Sequence, residues 1–278
     1  MKGVIKKILR PIYHIYQLAV IVNWIPTLRL NFGKLPFRMA CKLPILVYGK
    51  LKIYDLSGRI IIHGPVVTGL IKIGRNIDKH YSARLPGQWT ISHDLIFNGY
   101  VIISGGVTIE TYKAPLEIGQ CCTIGSGTML KSESGIKIGD FTRVTYDCVV
   151  MDTNVHFIKN VKTGTFSKST GSISIGRRCW LNPGVVVSKN AVLPDYTIVG
   201  RNSLVNKDYS EFSDSHPFLV GAPAKPVSFN VQRIFSNKKE KELREYFEKN
   251  PEVDLFQASE EEEQDPYEEI VPMFRYNY

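Results

Sequence analysis

The chain has few of the residues that mark disulfide-rich or zinc-binding proteins. Its 278 residues include five cysteines, an odd number, and no C-x-x-C pair occurs among them. They are Cys41, Cys121, Cys122, Cys148 and Cys179. This excludes a disulfide framework and a zinc knuckle, and it predicts free, buried thiols in the reducing environment of the cytoplasm.

The chain also lacks a long apolar run. The most apolar stretch near the N-terminus, 12–25, is interrupted by His14, Gln17 and Asn23. It is therefore shorter than the ~20 apolar residues that a transmembrane helix needs. No A-x-A-like cleavage site follows it, so we do not expect a signal peptide.

Residues 1–50 are predicted to form an N-terminal amphipathic or capping segment. Basic residues and an apolar stripe at helical spacing fit two interpretations, and both stay open. The segment either caps the end of the fold or lies peripherally on the inner face of an anionic membrane. Pro26, Pro36 and Pro44 predict loop and short extended pieces after Trp24.

Negative charge is scarce outside the C-terminal end. The net charge is +9, but nine acids and one base (Arg275) lie from Glu252 onwards, so the preceding part carries 17 acids, 34 bases and a net charge of +17. A basic body of this kind attracts an anionic ligand or an anionic membrane. Because no nucleic-acid-binding motif accompanies it, we do not expect nucleic acid as a partner.

What the sequence does have is a period of six. From residue 175 to residue 206 every sixth residue is a branched aliphatic, and the residue after each is small or turn-forming. The six aliphatics are Ile175, Leu181, Val187, Leu193, Val199 and Val205. A period of six fits neither a helix nor a plain strand, and it is typical of a parallel β-helix with one inward side chain per hexapeptide.

The same register recurs earlier in the chain. It appears at Ile61, Val67 and Ile73 and blurs in the polar stretch 76–88. Further members are Ile103, Ile109, Ile118, Ile124, Leu130, Ile138, Val144 and Val150. We therefore predict an all-β solenoid of about six coils and triangular cross-section over residues 51–230.

The repeat is followed by a charged C-terminal extension, 231–278. The spacing of apolar residues within 238–249 predicts a short helix there. The acidic run 260–263 is expected to be solvated, and the apolar and aromatic end, 270–278, is expected to dock on a surface that the sequence does not identify.

One histidine stands apart from the other five. His156 ends the segment D-T-N-V-H, where the repeat stops and a polar loop, 157–171, begins. The edge of a rigid coil beside an extruded loop suits chemistry, and an imidazole can take a proton from a hydroxyl. We predict that His156 is a general base, that Asp152 orients its ring, and that Asn154 contacts the acceptor. A surface or structural role is expected for His14, His63, His80, His93 and His216.

The motifs from 118 to 226 resemble those of the hexapeptide-repeat O-acetyltransferases. They are the hexapeptide run, D-T-N-x-H at 152–156, G-x-I-x-I-G-x-x-x-W at 171–180 and G-A-P-A-K-P at 221–226. That family includes galactoside and maltose acetyltransferases and enzymes that acetylate surface polysaccharides. The resemblance implies a left-handed β-helix, a homotrimer with active sites between subunits, acetyl-CoA as the donor and a carbohydrate hydroxyl as the acceptor.

The resemblance also implies roles for individual residues. His156 falls at the position of the general base, and Trp180 resembles the tryptophan that lines the acceptor cleft. The positions that contact coenzyme A correspond to Pro183, Arg201, Asn206, Lys207 and Lys225. The chain departs from the family at Phe157, where proline is frequent, at Asn182-Pro183, and at Arg201, where a small residue is common.

The prediction is therefore an acetyl-CoA-dependent O-acetyltransferase that acts in surface polysaccharide biosynthesis. The alternative is a non-catalytic β-helix scaffold or binding protein, which would not bind acetyl-CoA. A metalloenzyme like the γ-type carbonic anhydrases would need about three histidine ligands. No histidine pair lies on neighbouring positions of a coil, so we expect no metal.

Overall fold

Short strands alternate with tight corners along most of the chain, because each hexapeptide places one aliphatic inward and a turn-forming residue after it. The computed structural model describes residues 21–77 and 80–257. The first strands are β1 (Ile45–Val47), β2 (Leu51–Asp55), β3 (Ile60–Ile62), β4 (Ile71–Ile73), β5 (Gly87–Ile91), β6 (Leu95–Phe97), β7 (Val101–Ile103), β8 (Thr108–Thr111), β9 (Leu116–Ile118), β10 (Cys122–Ile124), β11 (Met129–Ser132) and β12 (Ile136–Ile138).

The strands of the second half carry the candidate site. They are β13 (Arg143–Val144), β14 (Val149–Met151), β15 (Ile158–Lys159), β16 (Phe166–Ser167), β17 (Ile173–Ile175), β18 (Trp180–Leu181), β19 (Val186–Ser188), β20 (Val192–Leu193), β21 (Ile198–Val199), β22 (Leu204–Val205), β23 (Phe218–Gly221) and β24 (Ala224–Ser228). The helices are α1 (Trp24–Lys34), α2 (Phe37–Ala40) and α3 (Asn237–Lys249), with 3-10 turns at Tyr81–Arg84 and Ser210–Phe212.

Three sheets form the faces of the solenoid. Sheet A has the order β1-β4-β7-β10-β13-β18-β21-β23-β24, sheet B has β2-β5-β8-β11-β14-β19-β22, and sheet C has β3-β6-β9-β12-β17-β20. Each coil passes from sheet A to sheet B to sheet C, which gives six complete coils followed by β21 and β22. The predicted parallel β-helix is confirmed.

The hexapeptide register from residue 175 onwards is confirmed by the strand pairing. Ile175 pairs with Leu193 and Leu181 pairs with Val199, so residues 18 positions apart lie side by side in successive coils. All six predicted inward aliphatics of this run are at most 2% exposed. Their stacking supplies the continuous core that a single coil cannot form.

The predicted register at the start of the solenoid is wrong at Ile61 and Val67, whereas Ile73 is buried in β4 as predicted. Ile60 is buried, whereas Ile61 is half-buried and Val67 is 38% exposed. Gly64 and Gly69 adopt positive φ angles of 82° and 66°, which L side chains rarely adopt. The segment between β3 and β4 is therefore a wide turn and contains no hexapeptide strand.

The predicted loop after Trp24 is also wrong, because α1 begins at Trp24 and continues to Lys34. Pro26 lies in the first turn, where the backbone N–H has no partner within a helix, so the proline removes no hydrogen bond. Pro36 precedes the short helix α2. What was predicted for residues 1–20 lies outside the described residues. Within the described part of the chain, no helix has the length and apolarity to cross a membrane.

Helix α1 closes the free edge of β1 with its polar side chains. The Asn31 side chain donates to the Ile45 carbonyl at 2.8 Å and accepts from the Ile45 N–H at 3.2 Å. Thr27 Oγ1 accepts from the Val47 N–H at 3.0 Å, and the Asn23 N–H donates to the Val47 carbonyl at 2.7 Å. The backbone groups that β1 turns away from β4 are thereby satisfied inside the protein.

The opposite end of sheet A is closed by an antiparallel hairpin. Strand β23 pairs in parallel with β21, and β24 then pairs antiparallel with β23. The motif G-A-P-A-K-P forms the turn and the second strand of this hairpin. The predicted helix at 238–249 corresponds to α3, and what was predicted for 260–263 and 270–278 lies beyond the described residues.

Candidate active site

The polar loop predicted at 157–171 contains a β-hairpin. Strands β15 and β16 pair antiparallel, and an isolated bridge joins Thr153 to Thr170 at the base. The hairpin leaves the solenoid between β14 of sheet B and β17 of sheet C, which is the B-to-C corner of the fifth coil. His156 lies near the start of this hairpin, and its side chain is exposed.

A strained turn fixes the backbone at His156. The His156 N–H donates to the Asn154 carbonyl at 2.6 Å, which closes a three-residue turn around Val155. Val155 has a φ of 63°, a value that β-branched residues rarely adopt, and its N–H donates to Oγ1 of the buried Thr153 at 2.9 Å. Strain of this kind costs on the order of 1–3 kcal/mol and clusters at functional sites. The turn brings the exposed side chains of Asn154 and His156 to the same corner.

Asp152 does not have the role that the sequence predicted. Its Oδ1 accepts from the Glu133 N–H at 2.7 Å, and its Oδ2 accepts from the N–H groups of Ser134 and Gly135 at 2.7 and 2.8 Å. The residue is completely buried, and within the described residues it makes no hydrogen bond with His156. Asp152 therefore fixes the corner of the preceding coil beneath the hairpin instead of orienting the imidazole.

Two predicted coenzyme A residues lie on the same corner as His156. Asn206 and Lys207 directly follow β22, and β22, β19 and β14 are successive neighbours in sheet B. At ~4.8 Å per coil, the corner of β22 is roughly 10 Å from that of β14 along the solenoid. Both side chains are exposed. The structure thus places the predicted base and part of the predicted donor site on one edge.

Lys189 lies between them and was missed by the sequence analysis. It directly follows β19 on the same corner, and its ammonium donates to the carbonyl oxygen of Lys168 in the hairpin. Lys207 lies one coil further, with its ammonium 5.1 Å from the centre of the Tyr209 ring. The two lysines are 18 residues apart, which is three hexapeptides, so they occupy equivalent positions in successive coils. The hexapeptide spacing of the sequence could have predicted this.

The other predicted donor residues lie elsewhere. Pro183 and Arg201 occupy equivalent positions at the A-to-B corner, where the carbonyl of Pro183 accepts from the Asn202 N–H at 3.0 Å. The Arg201 guanidinium donates to the Tyr146 hydroxyl at 2.6 Å. Lys225 is exposed on β24 at the C-terminal end of sheet A. Within one chain, the five predicted residues therefore fall into three separate places.

Trp180 is also separated from His156. It lies in β18 of sheet A, where its strand neighbours are Arg143 and Ile198. The indole is half-buried, and the Arg233 guanidinium lies 5.5 Å from the centre of its ring. The tryptophan is thus on another face of the same chain, partly covered by the C-terminal extension.

A second polar cluster surrounds His80, which was expected to be a surface or structural histidine. The imidazole stacks on the Tyr146 ring at a centroid distance of 4.2 Å, and its Nε2 lies 3.5 Å from Oδ2 of Asp147. Ser82 Oγ lies 3.2 Å from His80 Nδ1 and donates to Asp147 Oδ1 at 2.9 Å. These contacts hold the turn at Tyr81–Arg84 against the A-to-B corner. Because Ser82 and Asp147 are 65 positions apart, no local sequence signal indicates the cluster.

Cysteine thiols and metal-ligand clusters are the other groups that could take part in catalysis among the described residues. All five cysteines are free, and four are buried. Burial raises the pKa of Cys121, Cys122 and Cys179 to about 12 and that of Cys148 to about 11, so these thiols stay protonated at neutral pH. Over 21–77 and 80–257, no group of three or more His, Cys, Asp or Glu residues is placed to hold a metal ion.

The chain is similar to several known proteins, although no family model matches it. An uncharacterized 24.8 kDa protein in the cps region of Klebsiella pneumoniae is 26% identical over 203 residues, which are 72% of this chain and 86% of that protein. The polySia-specific acetyltransferase NeuO is 18% identical, covering 76% of this chain and 95% of its own, with a TM-score of 0.46.

Two further solved structures are similar to the chain. The polysialic acid O-acetyltransferase OatWY is 15% identical, covering 70% of this chain and 99% of its own, with a TM-score of 0.37. A variant of AntD, an N-acyltransferase from Bacillus cereus in complex with dTDP and coenzyme A, is 18% identical, covering 74% and 89%, with a TM-score of 0.42. Two of these three solved structures are described as acetyltransferases, the class that the motifs resemble.

Proposed function

We propose that this protein transfers an acetyl group from acetyl-CoA to a hydroxyl of a carbohydrate, with His156 as the general base. The observation that carries the proposal is the arrangement of side chains at the B-to-C corner. An exposed imidazole on a strained turn shares one edge of a rigid solenoid with Lys189 and Lys207. The acceptor class, a surface polysaccharide or its precursor, follows from the resemblance of the D-T-N-x-H, tryptophan and G-A-P-A-K-P motifs to polysaccharide O-acetyltransferases.

The chemistry needs one base and no covalent enzyme intermediate. The acceptor oxygen attacks the thioester carbonyl carbon while His156 removes the hydroxyl proton. The carbon–sulfur bond then breaks, and the coenzyme leaves as a thiolate that takes the proton from the imidazolium. A backbone N–H aimed at the developing oxyanion would contribute roughly 3 kcal/mol. The buried cysteines, whose pKa values are raised, leave no thiolate for an acyl-enzyme route through them.

The basic residues of the corner suit the phosphates of coenzyme A. Lysine is a compact point charge that binds phosphate without a fixed geometry, and Lys189 and Lys207 repeat at the coil spacing. A ligand that runs along the edge would meet them in succession, and the thioester end would then reach the turn of His156. Lys225 and Arg201 lie on other faces, so their contact with the same donor requires a neighbouring subunit.

Acetyl-CoA is expected to raise the melting temperature, because a ligand that binds only the folded state stabilises it by about 2.7 kcal/mol at 100 times its Kd. Lys207→Glu and Lys189→Glu are each expected to weaken acetyl-CoA binding about ten-fold, which corresponds to about 1.4 kcal/mol. Calorimetry and thermal shift measure both effects. Lys52→Glu, the same charge change on an exposed residue of the first coil, is the matched control and should leave the Kd unchanged.

If the wild-type protein shows no affinity for acetyl-CoA at any salt concentration, the scaffold interpretation replaces the enzyme. If Lys52→Glu weakens binding as much as Lys207→Glu, the effect is one of overall charge, and the corner is not the donor site. If acetyl-CoA binds and Lys52→Glu leaves the Kd unchanged, mass spectrometry of products from a panel of glycans would then identify the acceptor.

We also propose a homotrimer, since the donor and acceptor residues of one chain lie on different faces. The hairpin beside His156 leaves several large apolar side chains exposed, a pattern that marks protein interfaces. They are Val155 at 50%, Phe157 at 70%, Ile158 at 61%, Val161 at 86% and Phe166 at 66%. A neighbouring subunit packed on the hairpin would cover them and bring its own sheet A towards His156.

Light scattering is expected to give three times the mass of the chain. The double change Phe157→Asp and Val161→Asp should release monomers and remove activity, because a charge in a buried apolar interface is costly. The same change at Tyr54, which is 65% exposed on β2 of the first coil, is the control and should leave the trimer intact. A monomer that keeps full activity would rule the shared cleft out.

A further inference from the structure

Helix α1 is amphipathic, but it buries polar side chains and exposes apolar ones, the reverse of an ordinary surface helix. Its polar side chains, Thr27 and Asn31, face the protein and are completely buried, because they bond to the edge of β1. Pro26 and Leu30 are the apolar residues that join them on the inner face. A helix at a water-facing surface normally buries its apolar side and exposes its polar side. Here the polar side is already used to close sheet A.

The outer face of α1 is consequently apolar. Ile25 is 82% exposed, Leu28 44% and Phe32 47%, and Trp24 adds a partly exposed indole. The stripe continues into α2, where Phe37 is 74% exposed with its ring centre 6.1 Å from that of Phe32. We call these five side chains the outer stripe. They form one connected surface, whereas isolated exposed apolar residues need no explanation.

The charge around the outer stripe has a single sign. Arg29 and Arg38 are exposed beside it, Lys34 ends α1 and Lys42 follows α2. From Ile21 to Tyr54 the sequence has six Lys or Arg residues and no Asp or Glu, and residues 1–20 add four basic residues and again no acidic one. An apolar stripe in a segment whose charged residues are all positive complements a surface that is apolar beneath and negative on top.

We propose that the outer stripe docks into the headgroup region of an anionic phospholipid bilayer. The aliphatic and aromatic side chains insert between the headgroups, and the bordering Arg and Lys residues bind lipid phosphates. A second copy of this face would bring four further positive charges against the first four, so self-association through it is disfavoured.

The position of α1 also defines how the solenoid would stand on the bilayer. Strand hydrogen bonds of a β-helix run along its axis, and α1 is bonded to the axial edge of β1. The outer stripe therefore points along the axis, away from the coils. The corner that carries His156 begins four coils further along, about 20 Å at ~4.8 Å per coil.

Co-flotation of the full-length protein with vesicles tests the proposal. We expect binding to vesicles of phosphatidylcholine with about one third phosphatidylglycerol, and much weaker binding to phosphatidylcholine alone, since each positive charge near an anionic surface contributes roughly five-fold in affinity. Ile25→Asp is expected to lower the partition coefficient about ten-fold or more. Arg29→Glu combined with Arg38→Glu should remove the preference for the anionic vesicles.

Leu255→Asp is the matched control, because Leu255 is 85% exposed, as Ile25 is, but lies in the C-terminal extension. It should bind vesicles like the wild type. Circular dichroism checks that each variant is folded, and the milder Ile25→Ser decides the matter if the aspartate disturbs α1. The proposal is overturned if the wild type does not float with anionic vesicles, or if Ile25→Asp and Leu255→Asp behave alike. It is also overturned if Ile25→Asp changes the oligomeric mass, which would make the stripe a protein interface. None of these outcomes depends on acetyl transfer.

Discussion

Replacing His156 with alanine is expected to lower kcat by about 10²–10⁴-fold, the usual contribution of a general base. The side chain is exposed and within the described residues makes no hydrogen bond, so its removal should leave the fold unchanged. Acetyl-CoA binding should barely change, because the donor is assigned to lysines of other coils. Steady-state kinetics with an identified acceptor and calorimetry with acetyl-CoA measure the two effects separately.

Two other histidines make the His156 experiment specific. His63 is exposed and its Nδ1 lies 2.8 Å from the Asn98 side-chain oxygen, so His63→Ala is a control that should keep full activity. The imidazole Nε2 of His80 lies 3.5 Å from a carboxylate oxygen of Asp147. If His80→Ala abolishes transfer while His156→Ala does not, the base belongs to the A-to-B corner and the proposed assignment is wrong.

Replacing Asp152 with alanine is expected to lower the free energy of unfolding by about 3–5 kcal/mol. The change leaves the N–H groups of Glu133, Ser134 and Gly135 without their acceptor, a carboxylate that is itself completely buried. Each buried donor left unsatisfied costs about 1–3 kcal/mol. Asp152→Asn keeps the shape but turns an NH₂ group towards one of these donors, so it too should destabilise. Urea denaturation of the folded protein measures both variants.

An exposed aspartate provides the comparison for Asp152. Asp195 accepts from the backbone and the guanidinium of Arg177, at 2.9 and 2.6 Å, but its side chain is partly exposed. Water can replace these contacts, so Asp195→Ala should cost about 1 kcal/mol or less. If Asp152→Ala instead keeps its stability and loses only kcat, the carboxylate acts on His156 after all, and its structural assignment is incorrect.

Most of the fold could be predicted because its determinant is local. Each coil needs one inward aliphatic per hexapeptide, and residues such as Ile175 and Leu181 meet that requirement within a few positions of each other. The pattern can therefore be recognised from a short stretch of sequence. The failures occurred where local rules conflict. Pro26 predicts a helix break in isolation, but in the first turn of α1 it removes no hydrogen bond. Val67 has the correct spacing, yet Gly64 and Gly69 turn its segment away from the core.

The candidate site was less predictable because its contacts are not local. His156 could be located from the sequence, since the repeat stops there and a polar loop follows. The partners of Asp152 lie 17–19 residues earlier, one coil away, so the four-residue spacing to His156 suggested a contact that the fold does not make. The contact of Lys189 with Lys168 spans 21 positions and the contact of Ser82 with Asp147 spans 65.

The closure of β1 by Thr27 and Asn31 affects whether β-helices of this protein can associate end to end in solution. A β-helix whose terminal strand has an unpaired edge presents a ready template. A second β-helix could bond to that edge and extend the same hydrogen-bond ladder indefinitely. The side chains of Asn31 and Thr27 occupy the N–H and C=O groups of Ile45 and the N–H of Val47 that such growth would need, and the backbone N–H of Asn23 occupies the Val47 carbonyl. At the other end, the reversal into β24 replaces the parallel edge with an antiparallel one that does not match β1. The two ends of sheet A are therefore not complementary, and this mismatch opposes end-to-end polymerisation into a fibre.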